Sequence, residues 1–330
     1  MKPLLIPLLL LIPLHAFALA NFEKEAEKLY DDGQYQSAVE TLSKDAEKLS
    51  EKGYLILAAS YSELKEYDNE LRILNNLAAK DEKNYRWTML IAQSHLKKSR
   101  AAKDEALKKT EETSAIQNFR ATIKHNPKFK PAYDQLLEIF DEKKETHEAI
   151  EVLMQGLKQF GDLPQWLSQL CQMQANDGFL SQAESTCERA IRRSPKYPDN
   201  YVFLSQSLLD QNEPNKAEKV ARLSGARFPD SEFAQWGAGK VYLILKNYEA
   251  AQKFFGNAIH NNAKSMRAHL GMAEALFQSG DRSHALGHYQ KACELGAKNS
   301  EDIHVLAAET RMKGDEGLSA KYRNLAENCR

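Results

Sequence analysis

KNYEAAQKFF (246–255) is followed 34 residues later by GDRSHALGHY (280–289), which keeps Ala251 in step with Ala285 and Phe255 in step with Tyr289. The same stride runs through the whole C-terminal half, with units opening at Pro164, Pro198, Glu232, Met266 and Ser300. The twentieth residue of each unit is small: Ala183, Ala217, Ala251, Ala285, Ser319. So is the twenty-seventh: Ala190, Ser224, Ala258, Ala292, Ala326. Proline or a short residue falls near the thirty-second: Pro195, Pro229, Ala263, Ala297. A fixed period of this length marks stacked supersecondary units, none of which buries its apolar face alone.

Upstream, units open at Glu51, Tyr85 and Lys130, and a first one near residue 17 is cut short by the N-terminal segment. The unit from Glu51 is degenerate, with Glu70 and Leu77 where small residues belong. Small residues at positions 8, 20 and 27, bulky ones at 4, 7, 11 and 24 and a terminal proline together resemble the tetratricopeptide repeat. GQYQSAVETL (33–42), with the two segments quoted above, is similar to that family's turn and second helix. The resemblance covers nearly all of residues 21–330 and implies an all-α, right-handed superhelical solenoid of about nine helical hairpins.

The residues support an all-α fold independently. In YLILAASYSEL (54–64) and AHLGMAEALFQ (268–278), large apolar side chains recur at three- and four-residue spacing, one stripe of a helix. Gly33, Gly178, Gly280 and Gly314 punctuate the turns. Hydrophobic residues make up 42% of the chain and charged ones 28%, enough for both a core and a solvated face. A formal net charge of −1 gives no bulk electrostatic case for nucleic acid.

Residues 1–20 read as an address. Lys2 supplies a minimal positive region, PLLIPLLLLIPL an apolar stretch, and Ala18-Leu19-Ala20 a cleavage site. The expectation is cleavage after Ala20, export to a bacterial periplasm and no transmembrane segment in the mature protein from Asn21; an uncleaved anchor is the alternative. Disulfides persist in such a compartment. Cys171 and Cys187 hold positions 8 and 24 of one unit, at matching heights on facing helices, so a bridge is geometrically reasonable, with two free buried thiols as the alternative. Cys293 and Cys329 end successive second helices and could tie the C-terminus down.

The register slips by eleven residues around KKSRAAKDEALKK (97–109), close to three helical turns. Longer helices are expected there, projecting about 16 Å beyond their neighbours and braced by Asp104–Lys108 and Glu105–Lys109 pairs. The projection is either a docking knob or a tolerated insertion.

The residues compose no catalytic constellation, and neither enzyme activity nor a cofactor is expected. Gly237-Ala238-Gly239 lacks the preceding strand of a phosphate loop. His284 and His288 have metal-compatible spacing but no third ligand, so no metal is expected. The family resemblance implies instead that positions 2, 5, 9 and 12 of each first helix line a concave surface. In the later units these are Val202, Gln206, Leu209, Phe233, Trp236, Lys240, Leu243, Arg267, Leu270, Glu274 and Phe277, apolar anchors beside orienting charges. In the middle units they are Asp134, Glu138, Asp141, Gln165, Ser168 and Gln172, an acidic and amide-rich stretch. Family members that grip a C-terminal carboxylate use paired Lys, Asn and Arg; here those positions hold Glu23, Leu55 and Ala59, which does not fit that specificity. The expected function is a non-enzymatic periplasmic adaptor that presents its groove to another envelope protein or peptide segment, in envelope or pilus assembly. The alternative is a polysaccharide-export or cell-wall scaffold that stacks sugar on Trp236 and Phe277.

Overall fold

A computed structural model describes residues 21–329; the address segment lies outside the described residues. Among them the chain is helical throughout, with no strand. The helices gather into two compact units, the first ending at Phe160 and the second beginning at Gly161.

The first unit holds α1 (Asn21–Asp31), α2 (Tyr35–Ser43), α3 (Glu51–Glu63), α4 (Tyr67–Lys80), α5 (Tyr85–Ala101), α6 (Glu105–His125), α7 (Lys130–Lys143) and α8 (Thr146–Phe160). The second holds α9 (Pro164–Asn176), α10 (Leu180–Arg193), α11 (Pro198–Asp210), α12 (Pro214–Arg227), α13 (Glu232–Ile244), α14 (Tyr248–Asn261), α15 (Met266–Ser279), α16 (Arg282–Glu294), α17 (Ser300–Met312) and α18 (Glu316–Asn328). Odd-numbered helices from α3 onward start on the residues that open the sequence units.

Local chemistry sets these starts. The side chains of Ser50, Asn84, Ser231 and Ser265 accept from backbone N–H groups of the first turns of α3, α5, α13 and α15, which satisfies donors that the helix leaves orphaned. Pro164 and Pro198 sit at the helix start, where the missing N–H costs nothing. The turn inside the hairpin needs a left-handed residue, and the fifteenth position provides it repeatedly. Gly178, Gly280 and Gly314 have φ of 80°, 99° and 89°, while Lys65, Lys144, Asn212 and Lys246 adopt 60°, 57°, 60° and 59° there.

The small residues of the period are close-packing sites. Ala183, Ala190, Ala217, Ala251, Ala258, Ala285 and Ala292 are all at most 1% exposed. A Cβ at Gly237 would come 2.7 Å from Val202, and one at Gly271 would come 2.4 Å from the Phe255 ring. Gly237-Ala238-Gly239 is therefore a mid-helix crossing rather than a phosphate loop. Phe255, 1% exposed, fills the space left by Gly239 and Gly271; burying such a side chain is worth about 1.5–3 kcal/mol. At the degenerate position of the first unit, Glu70 is fully buried with Lys97 Nζ 4.0 Å away.

The eleven-residue slip is divided between two helices. α5 has 17 residues where α3 has 13, and α6 has 21 where α4 has 14. The extensions are thus about 6 Å and 10 Å at 1.5 Å per residue, short of the 16 Å expected of one continuous projection. The expected i,i+4 pairs are replaced: Asp104 caps α6 by accepting from Leu107 N at 2.8 Å, and Glu105 meets Lys108 at 3.7 Å. Ser99 Oγ donates to the Lys108 carbonyl at 2.9 Å, and Lys98 reaches both Asp68 (2.6 Å) and Glu111 (2.8 Å). His95 Nδ1 lies 2.6 Å from Glu111 as well. Burial disfavours the Glu111 carboxylate, but the bonds from Lys98 and His95 outweigh it and hold its pKa below the usual range. The base of the extension is bonded in; only the tip, with Leu107 40% exposed, stands free.

Candidate functional site

In the second unit, α11, α13 and α15 lie side by side, and their equivalent positions form rungs. Asp199, Phe233 and Arg267 occupy position 2 of the three helices; Gln206, Lys240 and Glu274 occupy position 9. On this wall the Phe233 and Trp236 rings stack at 5.4 Å and 13°, and Phe203 tilts against Phe233 at 5.8 Å. The Arg267 guanidinium lies 4.6 Å from the Phe233 centroid and 5.0 Å from that of Trp236, with Lys240 Nζ 5.7 Å from Trp236. Cation–aromatic contacts of this kind contribute about 0.5–1 kcal/mol each where exposed.

Glu232 fixes this arrangement. Arg267 donates to it through Nε at 2.9 Å and through Nη2, and Ser265 Oγ donates to it too. Burial works against the Glu232 carboxylate, yet these hydrogen bonds and the Arg267 charge hold its pKa below the usual range. Arg267 is thereby clamped as a planar lid on two aromatic rings, which Lys could not be.

The remaining polar groups are less compensated. Glu274 is exposed, but the protein around it desolvates the carboxyl and Asp302 repels it, which raises its pKa. Asp199 also reaches solvent with a raised pKa; desolvation is the larger cause, and Arg267 opposes it. Gln206 Nε2 is occupied by Asp210 Oδ1 at 2.8 Å.

Not every residue assigned to this groove by position lines it. Phe233, Trp236, Lys240, Leu243, Leu270, Gln206 and Leu209 are half-buried, and Arg267 and Glu274 are exposed. Val202 is 6% exposed because it fills the space over Gly237. Phe277 is 2% exposed and meets the Tyr322 ring edge-on at 5.9 Å, so it belongs to the core. Phe203 and Glu232 lie outside the positions the repeat assigns to the groove, and Asp199, at position 2 of α11, belongs with the residues named there; Glu232 and Arg267 sit one stride plus one residue apart, the signal that could have paired them.

The acidic and amide-rich positions of the middle units are divided between the two compact units. Asp134, Glu138 and Asp141 are on α7 in the first unit, and Gln165, Ser168 and Gln172 on α9 in the second. Lys130 neutralises Asp134 at 2.6 Å and Arg100 meets Glu138 at 3.1 Å. Where carboxylate-gripping relatives of the resembled family have polar residues, Glu23 is buried and accepts from Ser50 N at 2.7 Å, and Leu55 and Ala59 are buried. His284 pairs with Asp281 at 2.8 Å, and His288 faces His269 instead. No group of three metal-ligating side chains occurs among the described residues. None of the described helices is long and apolar enough to cross a membrane.

Both cysteine pairs are joined: Cys171–Cys187 with Cα atoms 4.8 Å apart, and Cys293–Cys329 at 5.2 Å.

A family model described as tetratricopeptide repeat matches residues 99–308. Among curated proteins, anaphase-promoting complex subunit 3 of Schizosaccharomyces pombe (strain 972 / ATCC 24843) is 24% identical over 110 residues, 33% of this chain and 16% of that protein's length. Among solved structures, PilF of Pseudomonas aeruginosa has a TM-score of 0.48 at 17% identity, covering 58% of this chain and 87% of that one. YrrB, described as a TPR protein with an unusual peptide-binding site, scores 0.44 at 15% identity, covering 60% and 99%. MamA scores 0.42 at 17% identity, covering 56% and 93%. The family match runs from the end of α5 into α17, through hairpins that keep small buried residues at positions 20 and 27, and the chain belongs to the tetratricopeptide repeat family.

Proposed function

We propose that the chain is a non-enzymatic adaptor that holds a protein segment against the α11–α13–α15 wall. The observation that carries this reading is the Phe233–Trp236 stack roofed by an Arg267 that Glu232 clamps in place. Half-buried aromatics beside Leu243 and Leu270 supply apolar area at little entropic cost, while Lys240 and Glu274 supply opposite charges that orient a partner. The partner is an extended or helical segment with an apolar residue for Leu243 and Leu270 and a basic residue for Glu274. Stacking of a sugar on Trp236 is the weaker reading, because Phe233, Arg267 and Lys240 already engage that ring.

The address in residues 1–20 supports export to the periplasm and a partner in the cell envelope. N-terminal sequencing of the mature protein should start at Asn21; an intact Met1 in a membrane fraction replaces secretion with anchoring.

A photo-crosslinker placed at Leu243 or Leu270 should capture the same envelope protein, and one at Leu223, exposed on α12, should not. Trp236→Ala should weaken that partner's binding by about 2 kcal/mol or more. Equal capture from all three positions removes the groove assignment.

A further inference from the structure

The two disulfides differ in what surrounds them. Cys171 and Cys187 are both fully buried. Cys293 is half-buried and lines a recess of ≈ 500 Å³ between α16 and α18, whereas its partner Cys329 is 2% exposed. Leu286 and Leu325 form the apolar walls of that recess, and Gln290, Asn324 and Asn328 add amides. Two charged groups also line it, Glu294 and Lys321. Glu294 is held by Lys291 at 3.0 Å, which leaves Lys321 as the charge that greets an approaching anion.

We propose that Cys293 is a thiol–disulfide exchange site, reached through this recess by the thiolate of a dithiol reductant, and that Cys171–Cys187 is a closed structural bridge. The incoming thiolate bonds to Cys293 Sγ, the Cys293–Cys329 bond breaks and Cys329 leaves as thiolate. The second thiol of the reductant, as thiolate, then displaces Cys293, leaving an oxidised reductant and, after protonation of the two thiolates, two cysteine thiols. The balance is two electrons and two protons from the dithiol. Once protonated, the released thiol is accommodated: Cys329 Sγ lies 3.3 Å from the Ala297 carbonyl and 3.2 Å from Asn299 Oδ1, acceptors for an S–H and not for a thiolate. Access decides which sulfur reacts, and it favours Cys293 over the three others.

The bond staples α18 to the end of α16, so the whole α17–α18 hairpin lies inside its loop. That hairpin carries Asp302, the group that repels Glu274 on the candidate partner-binding wall. Opening the staple loosens the acidic end of the wall while Tyr322 and Ile303 keep the hairpin seated in its core.

The test is stepwise reduction of the full-length protein. The chain is incubated in graded glutathione buffers, quenched with iodoacetamide and mapped by peptide mass spectrometry, with far-ultraviolet circular dichroism to confirm retained helicity. A glutathione adduct is expected on Cys293 and none on Cys329, with opening at least about tenfold faster than for Cys171–Cys187. Cys329→Ser should leave a Cys293 thiol that reacts with a disulfide reagent without denaturant. Reduction of both bridges together, an adduct on Cys329, or an unreactive Cys293 thiol in folded Cys329→Ser would overturn the assignment.

Discussion

His269 Nδ1 and His288 Nδ1 stand 3.0 Å apart across the α15–α16 hairpin, and His269 Nε2 lies 3.2 Å from the Ala263 carbonyl oxygen. A carbonyl only accepts, so His269 carries its proton on Nε2, and its bare Nδ1 accepts from His288 Nδ1–H. Burial first, then the His269 and His284 charges, lowers the His288 pKa. On acidification the unfolded chain therefore protonates before the folded one. The stability from the neutral pair is complete above the unfolded value of about 6.5 and is lost as pH falls below it. Thermal midpoints measured at pH 7.5 and 5.5 should fall more for the wild type than for His288→Gln; parallel slopes would contradict the pairing.

Glu70 carries the opposite sign. Burial raises its pKa, with Lys97, Ser94 and Ser62 pulling back and Glu63 adding to the rise. The folded state holds the proton more tightly, so stability falls as pH rises from the unfolded carboxylate range towards neutrality. Glu70→Gln keeps the shape without the charge and should raise the denaturation midpoint at pH 7. A lowered midpoint would mean that the Lys97 pairing outweighs desolvation.

Phe277 and Trp236 should separate cleanly in a stability assay. Phe277→Ala removes a core ring and should cost about 3–5 kcal/mol. Trp236→Ala removes a half-buried one and should cost roughly half that or less. Chemical denaturation of the two variants checks the order, and the reverse order would return Phe277 to the wall.

Which of these residues face solvent was only partly legible in the sequence. The 34-residue stride imposes the helix starts from Glu51 to Ser300, because each unit must repeat its caps and crossings to stack. It cannot separate Leu243 from Phe277, both at position 12. Phe277 is covered because Tyr289 and Tyr322 converge on it, a consequence of which side chains meet across hairpins. Val202 likewise sinks only because its neighbour is Gly237. The Lys98–Glu111–His95 cluster was invisible for a different reason: the eleven-residue slip removes Glu111, the residue both others meet, from the register by which positions could be compared.

At the fifteenth position, Lys246 adopts the left-handed conformation that Gly280 takes one unit later. A side chain costs about 1–2 kcal/mol in that region, partly offset by the looser unfolded chain of a glycine. Lys246→Gly should therefore stabilise the second unit by about 0.5–1 kcal/mol, read as a shift in denaturation midpoint at unchanged slope. A destabilised variant would show that the Lys246 side chain contributes more than its backbone costs.

The division of the inserted residues between α5 and α6 has a consequence for how such arrays change length. Four extra residues advance a helix by close to one turn and seven by close to two, so each extension brings its apolar stripe back to nearly the same azimuth. Growth of a hairpin is therefore quantised. Lengths that complete whole turns in both arms leave every crossing downstream in place, and intermediate lengths rotate a stripe into solvent. The turn at Ala102 confirms that the rule binds the arms and not the tip, since this hairpin closes with φ −68° and ψ 134° where its neighbours use a left-handed residue. Insertions and deletions of about four, seven or eleven residues per arm are the steps by which one hairpin can lengthen while the others keep their register.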